Sequence, residues 1–214
     1  MNYFQYGEKE INHLKSKDKK LARAIDHIGM IKRAVNPDLF QALVNTIVGQ
    51  QISSKAQKTI WRRMKEGIKT ITPQTIEKLS TSELQQYGIS FRKAGYIKHA
   101  ASMVVSGELD IDSLKNMPDH KVNETLVKLP GIGAWTAEML MIFSMQRPNI
   151  ISFGDLAIQR GLRMLYGHEK ITRELFARYQ KRYSPYASVA SLYLWAISGG
   201  AVEGLTDKAV KSNR

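Results

Sequence analysis

The run LPGIGAWTAEM, Leu129 to Met139, constrains this chain more than any other stretch. Apolar residues at helical spacing lead up to Val127 and Leu129, and resume from Ala134 to about Met145. Only Pro130, Gly131, Ile132 and Gly133 separate the two segments, so the chain must form a helix, a very tight turn and a second helix. A turn this short calls for positive φ angles, which glycine adopts at no steric cost, and a missing Cβ lets a large partner reach the backbone. The amides of Gly133 to Thr136 open the second helix. A helix N-terminus presents unpaired donors that suit an anion such as a phosphate.

The charge balance says which phosphate to expect. Lys and Arg number 32 against 19 Asp and Glu, a net charge of +13 over 214 residues, which favours a polyanionic partner such as nucleic acid. The chain has no cysteine, so disulfides, cysteine-ligated zinc, a cysteine nucleophile and an iron–sulfur cluster are excluded. The histidines, His13, His27, His99, His120 and His168, lack metal-ligand spacing, and there is no GxxxxGK[ST] loop. Neither a catalytic metal nor ATP is expected. Asp110 and Asp112 alternate like calcium ligands but lack the glycine and carboxylate spacing of an EF-hand, and read as turn and cap residues. The opening MNYFQYGEKE has early acidic residues and no apolar core region of a signal peptide, and no apolar run approaches membrane-spanning length. The expectation is a cytoplasmic, intracellular protein of one domain or two small lobes.

Helical periodicity continues along the chain. Ile11, Leu14, Leu21, Ile25 and Ile28 place one helix from Glu8 to a stop at Gly29, and Asn36-Pro37 reads as an N-cap with proline at the first helical position. Ser53, Thr72-Pro73, Ser80 with Glu83, and Ser90 open further helices. Asp119 to Lys128 precedes the hairpin. Asp155 begins a helix through Leu165, Thr172 one through Tyr183, and Ser184-Pro185 the last, which ends at Gly199-Gly200. No strand-length alternation of apolar and polar residues appears, so the fold is predicted to be all-α.

The LPGhGxxTA pattern resembles the helix-hairpin-helix motif. Its sequel NIISFGDLAIQRGL places Asp155 155 − 133 = 22 residues after Gly133, which is similar to the spacing of the catalytic aspartate in helix-hairpin-helix DNA glycosylases. TIVGQQIS, GISFRKAGYI and SPYASVASLYLW also resemble their counterparts in the 3-methyladenine DNA glycosylase II branch, so the likeness spans about Asn36 to Gly200. It implies a single glycosylase domain in a compact form without the extra N-terminal domain of some members. One lobe would run from about 38 to 147 and contain the hairpin at 129–133. The other would combine 1–37 with 148–214, and a DNA-binding cleft would lie between these two helical bundles.

By that resemblance Asp155 is the catalytic carboxylate. Breaking an N-glycosidic bond builds positive charge on the deoxyribose, and a fixed carboxylate stabilises that charge more in the transition state than in the ground state. Trp135 and Trp195 match positions where alkylpurine glycosylases place aromatic rings, whose electron-rich faces attract a cationic base. On residue type alone, tryptophans on apolar helix faces are core residues. Met139 stands where related enzymes often have a tyrosine. Gln51 matches the side chain inserted into the duplex to fill the gap left by a flipped nucleotide, and is otherwise an ordinary polar loop residue. Gly131, Gly133 and Thr136 would contact backbone phosphate. The main-chain carbonyls of Val127, Leu129 and Ile132 would bind a structural monovalent cation, Na or K, with no cofactor required.

The implied activity is monofunctional hydrolysis of alkylated purines, of 3-methyladenine and 7-methylguanine type, in double-stranded DNA. The enzyme would act as a monomer, without a membrane, and hand its product to an abasic-site endonuclease. Two alternatives stay open on sequence: a non-catalytic helix-hairpin-helix DNA-binding or damage-recognition protein, and a glycosylase for deaminated or oxidised bases. Gln50-Gln51 is also similar to adenine-mismatch glycosylases, which carry an acid near the position of Thr46.

Overall fold

A computed structural model describes residues 2–209. In chain order its α-helices are α1 (Glu8–Lys17), α2 (Lys19–Ile28), α3 (Leu39–Gly49), α4 (Ser54–Ile68), α5 (Pro73–Lys78), α6 (Thr81–Gln85), α7 (Phe91–Val105), α8 (Asp119–Leu126), α9 (Ala134–Phe143), α10 (Leu156–Tyr166), α11 (Arg173–Tyr183) and α12 (Ala187–Ser198), with one 3-10 turn at Ser113–Asn116. The fold is all-α as predicted, apart from a two-residue antiparallel pair, β1 (Asn2–Tyr3) with β2 (Ala34–Val35), registered Asn2 to Val35 and Tyr3 to Ala34. Two residues are too short for an alternating pattern to register. The chain divides into two compact units: one formed by the residues up to Val35 together with those from Gln146 onward, the other by Asn36–Met145.

In the first unit, α12 is buried at every position from Ala187 to Leu194, as a helix apolar around its whole circumference must be. α1, α2, α10 and α11 pack against it. Contact with α10 is close because of Gly161: a Cβ there would run into the Leu194 carbonyl oxygen, so the two backbones approach directly.

The sequence predicts one helix from Glu8 to Gly29, whereas the structure breaks it at Asp18. That residue is extended (φ −149°, ψ 107°), and its Oδ1 accepts the amides of Lys20 and Leu21 as the N-cap of α2. Cap hydrogen bonds outcompete continuation of the helix, because Asp gains more from bonding free amides than from a mid-helix position. Asp18 Oδ2 accepts from the Tyr166 hydroxyl at 2.8 Å and from Arg182 at 2.6 Å, tying this junction to α10 and α11.

Burial pushes the Asp18 carboxyl up, but hydrogen bonds from the Leu21 amide, Arg182 and Tyr166, with the Arg182 charge, outweigh burial and hold it below its ordinary value. A depressed folded-state value means that this group's stabilisation is fully present above the unfolded pKa of about 3.9 and is lost as pH falls through the folded value. Asp18→Ala should therefore cost about 2 to 4 kcal/mol near neutrality, from the lost cap and the lost acceptor shared by Tyr166 and Arg182. It should also flatten the acid side of the stability curve. Urea melts between pH 2 and pH 7 test this; a variant curve parallel to wild type would contradict the linkage.

In the second unit, α3 buries Leu39, Phe40, Leu43, Val44, Ile47 and Val48 and packs against α4, α7 and α9, while α5 and α6 lie on α7. Ser53, Thr72, Ser80 and Ser90 each accept an amide from the first turn of the helix they precede, and Glu83 completes the capping box with Ser80. The cap of α3 falls on Asp38, whose carboxylate accepts the Gln41 amide at 2.9 Å. Asn36, predicted as that cap, instead accepts the Asp38 amide at 3.2 Å and shapes the approach. Pro37 therefore precedes the helix rather than opening it.

Candidate active site and nucleic-acid interface

Asp155 is the N-cap of α10 and is buried, with 7% of its surface exposed. Its Oδ1 accepts the amides of Ala157 and Ile158, both at 2.9 Å, and its Oδ2 accepts the indole N–H of Trp195 at 3.2 Å. Three N–H groups on two helices thus fix the carboxylate in orientation. The approach to it is fixed as well. Ser188 Oγ accepts the Ile150 amide at 2.9 Å and donates to the Arg147 carbonyl, and the Ser191 hydroxyl is shared between the carbonyls of Ala187 at 2.9 Å and Ile150 at 3.2 Å. These serines lay the strand-like segment before Asp155 along α12, the helix that carries Trp195. Leu156, the next residue, is 79% exposed and leaves an apolar surface beside the carboxylate.

Asp155 and Trp195 are the two predicted site residues that the structure joins by a direct bond. Trp195 is half-buried and turns its N–H toward the carboxylate. It is therefore not a plain core residue.

The other predicted residues belong to the second unit. α8 and α9 flank the tight turn as the motif requires. Gly131 has φ +84°, and a Cβ there would strike the ring of Tyr96 at 2.5 Å. Gly133 differs from the expectation. Its φ is −89°, which any residue adopts, and a Cβ there would meet nothing within 4 Å. Nothing inside the protein therefore demands glycine at 133, which leaves open space for an outside partner. Gly133 is the N-cap of α9, and no side chain caps that end. Thr136 is buried, on the first turn of α9.

This contrast gives a paired prediction. Gly131→Val should destabilise the fold by about 2 to 4 kcal/mol, from left-handed strain plus the Tyr96 clash. Gly133→Val should leave thermal stability nearly unchanged while weakening binding to all duplexes alike, because phosphate contacts carry no sequence information. Paired melting and binding measurements decide it, and loss of binding to a single sequence only would contradict the phosphate role.

Trp135 is 47% exposed on the first turn of α9. Met139, four residues on and half-buried, lies on the same helix face. Of the three carbonyls expected to hold a cation, that of Leu129 accepts the Ile132 amide at 3.0 Å. The side chains of Leu129 and Ile132 are buried and that of Val127 is exposed. Among the described residues no group of three or more His, Cys, Asp and Glu side chains could hold a metal ion.

Gln51 is exposed and left-handed, with φ +55°. For a residue with a Cβ this conformation costs energy and persists only where its surroundings hold it. Those surroundings are specific. Gln50 Nε2 donates to the Gly131 carbonyl at 2.7 Å, and Lys93 Nζ donates to the carbonyls of Val48 at 2.8 Å and Gln50 at 2.5 Å. Burial, then the neighbouring Arg92 charge, hold the Lys93 ammonium below the usual lysine range. Sequence reasoning singled out Gln51 but gave no role to Lys93. Its only signal was membership of the GISFRKAGYI segment.

Residues 44–185 match the family described as HhH-GPD superfamily base excision DNA repair protein. A crystal structure of DNA-3-methyladenine glycosidase from Bacillus halodurans is 37% identical and superposes with a TM-score of 0.84, covering 93% of each chain. DNA-3-methyladenine glycosylase 1 of Schizosaccharomyces pombe is 28% identical over 194 residues, 87% of this chain and 85% of its own length. A structure of Schizosaccharomyces pombe 3-methyladenine DNA glycosylase in complex with abasic DNA superposes with a TM-score of 0.74 at 27% identity, covering 88% of this chain and 95% of that one. The chain spans less of two Bacillus subtilis relatives, 58% and 57% of their lengths. No helix among the described residues is long and apolar enough to cross a membrane. On the family match, which covers most of its length and takes in the hairpin and Asp155, this chain belongs to the HhH-GPD superfamily of base excision DNA repair proteins.

Proposed function

We propose that this protein is a monofunctional DNA glycosylase that hydrolyses the N-glycosidic bond of alkylated purines, of 3-methyladenine and 7-methylguanine type, in double-stranded DNA. The observation that carries the reading is the carboxylate of Asp155, buried and held by two amides and an indole N–H. A carboxylate held this way needs no reorientation when positive charge builds on the sugar. A purine that is already alkylated and cationic leaves as a neutral base, so one carboxylate suffices and no acid or cofactor is required. Asp155 also orients the attacking water. The names of the relatives, DNA-3-methyladenine glycosylases, support the substrate class.

Around this centre Trp195 holds Asp155 by its edge and offers its face to the base. On α9, Trp135 offers its exposed indole as the stacking surface for a cationic base, with Met139 on the same helix face. Gly131, Gly133 and the Thr136 main chain receive the DNA backbone, and Gln51 fills the gap left by the flipped nucleotide. The neutral main-chain carbonyls of Val127, Leu129 and Ile132 would hold a monovalent cation, which would supply positive charge there. The protein acts as a monomer, and its abasic product passes to an endonuclease.

Release of free methylated bases from alkylated duplex DNA, followed by chromatography, tests the reading. Binding to methylated DNA without base release would instead favour a damage-recognition protein. A further prediction concerns the product. Glycosylases that also nick the strand use a lysine amine, which attacks C1′ and holds the sugar as a Schiff base. In the family that lysine occupies the position of Trp135, and indole has no lone pair available for the attack. Borohydride should therefore trap no covalent protein–DNA adduct, and the strand should stay intact until base or heat is added. An adduct would overturn the water-using mechanism.

A further inference from the structure

We infer that Lys93 is a positioning residue for duplex insertion, because its ammonium, with the Gln50 amide, holds the Gln51 loop in its left-handed conformation and fixes it to the DNA-contacting hairpin.

Three observations support this. The loop after α3 carries a non-glycine residue at φ +55° with its side chain exposed, so some interaction must offset the strain. The main chain leading into it is held: Lys93 reaches from α7 to the carbonyls of Val48 and Gln50, at the end of α3 and just before Gln51. The Gln50 side chain then crosses to the Gly131 carbonyl, at the one hairpin glycine whose own φ is left-handed. Lys93, Gln50 and Gly131 are thus linked by two hydrogen bonds in series that end in the turn between α8 and α9. Through it the inserted side chain and the phosphate-binding turn move as one body, so grip on the backbone sets where Gln51 enters the stack. A half-buried lysine with two carbonyl partners is spent internally, unlike a surface lysine that tracks phosphate.

This inference rests on the proposed glycosylase reading, and its test separates the two. Full-length wild type, Lys93→Met, Lys93→Arg, Gln51→Ala and the double variant are compared on a duplex containing one methylated purine beside 2-aminopurine, whose fluorescence rises on unstacking. Lys93→Met should lower the single-turnover rate and the fluorescence change by about tenfold to a hundredfold, the usual effect of a misplaced group. Lys93→Arg should recover most of both. In the Gln51→Ala background, Lys93→Met should add less than about twofold, since the two act through one step.

Salt dependence gives an independent readout. A positioning role leaves the slope of log K against log salt unchanged, whereas loss of a phosphate contact reduces it by about one. A reduced slope, or additive losses in the double variant, would overturn the inference. So would a fluorescence change as large as wild type in a Lys93→Met protein that melts at a lower temperature. If wild type itself releases no base, the glycosylase reading fails instead.

Discussion

Asp155→Asn is expected to abolish base release while leaving the fold and DNA binding nearly intact. Asparagine is as good an N-cap as aspartate, so α10 keeps its start. The amide has one acceptor oxygen where the carboxylate has two. It can cap Ala157 and Ile158 or accept from Trp195, but not both, and the lost bond costs about 0.5 to 1.5 kcal/mol of stability. Chemistry suffers far more, because the charge that opposes the developing sugar cation is gone. A fall of at least about a hundredfold in single-turnover rate is expected. If the variant kept more than a tenth of the wild-type rate, equivalent to about 1.4 kcal/mol of barrier, Asp155 would not be the catalytic carboxylate.

The second large effect is expected at Gly161, where α10 packs directly on α12. In an exposed helix, glycine to alanine stabilises by about 1 kcal/mol. Here the sign should reverse. The added methyl meets the Leu194 carbonyl of α12, which is backbone and cannot swing aside. Gly161→Ala should cost about 1 to 3 kcal/mol as an overpacked core does, and lower Tm by roughly 2 to 4 °C for each kcal/mol. Activity should fall further than stability. The spacing of α10 and α12 sets the bond between Asp155 and Trp195, and a shift of about 1 Å in a positioned group can cost a hundredfold. Calorimetry and single-turnover kinetics on the same sample check both, and an unchanged or raised Tm would contradict the close-approach argument.

The features legible in the sequence were those that depend on neighbouring residues. The hairpin could be read because its two helices and turn lie within one short run. The caps at Ser53, Thr72, Ser80 and Ser90 could be read because a capping side chain acts within three residues of itself. Asp155 was legible as the start of a helix for the same reason. The break at Asp18 was hidden, since Leu14 and Leu21 keep apolar spacing across it. Gly133 looked like a second left-handed glycine, yet the structure meets the turn's need for positive φ at Gly131.

Long-range geometry left no local trace. Trp195 meets Asp155 from 40 residues away because Gly161 lets their helices touch, and no spacing rule encodes that. Lys93 is one of 32 cationic side chains, and only the fold distinguishes a lysine that bonds carbonyls from one that faces solvent. The exposed indole of Trp135 shows the same limit. Its place on an apolar helix pointed to the core, while nearly half its surface lies open.

The left-handed backbone at Gln51 has a consequence for how this chain can change over generations. Glycine there would relieve a conformational cost of about 1 to 2 kcal/mol, so selection for heat resistance alone favours its loss. Under the insertion role proposed for Gln51, selection for repair favours the opposite, because glycine has nothing to insert into a duplex. The residue at 51 thus sets fold stability against the proposed insertion, and Gln51→Gly should melt higher while losing that insertion.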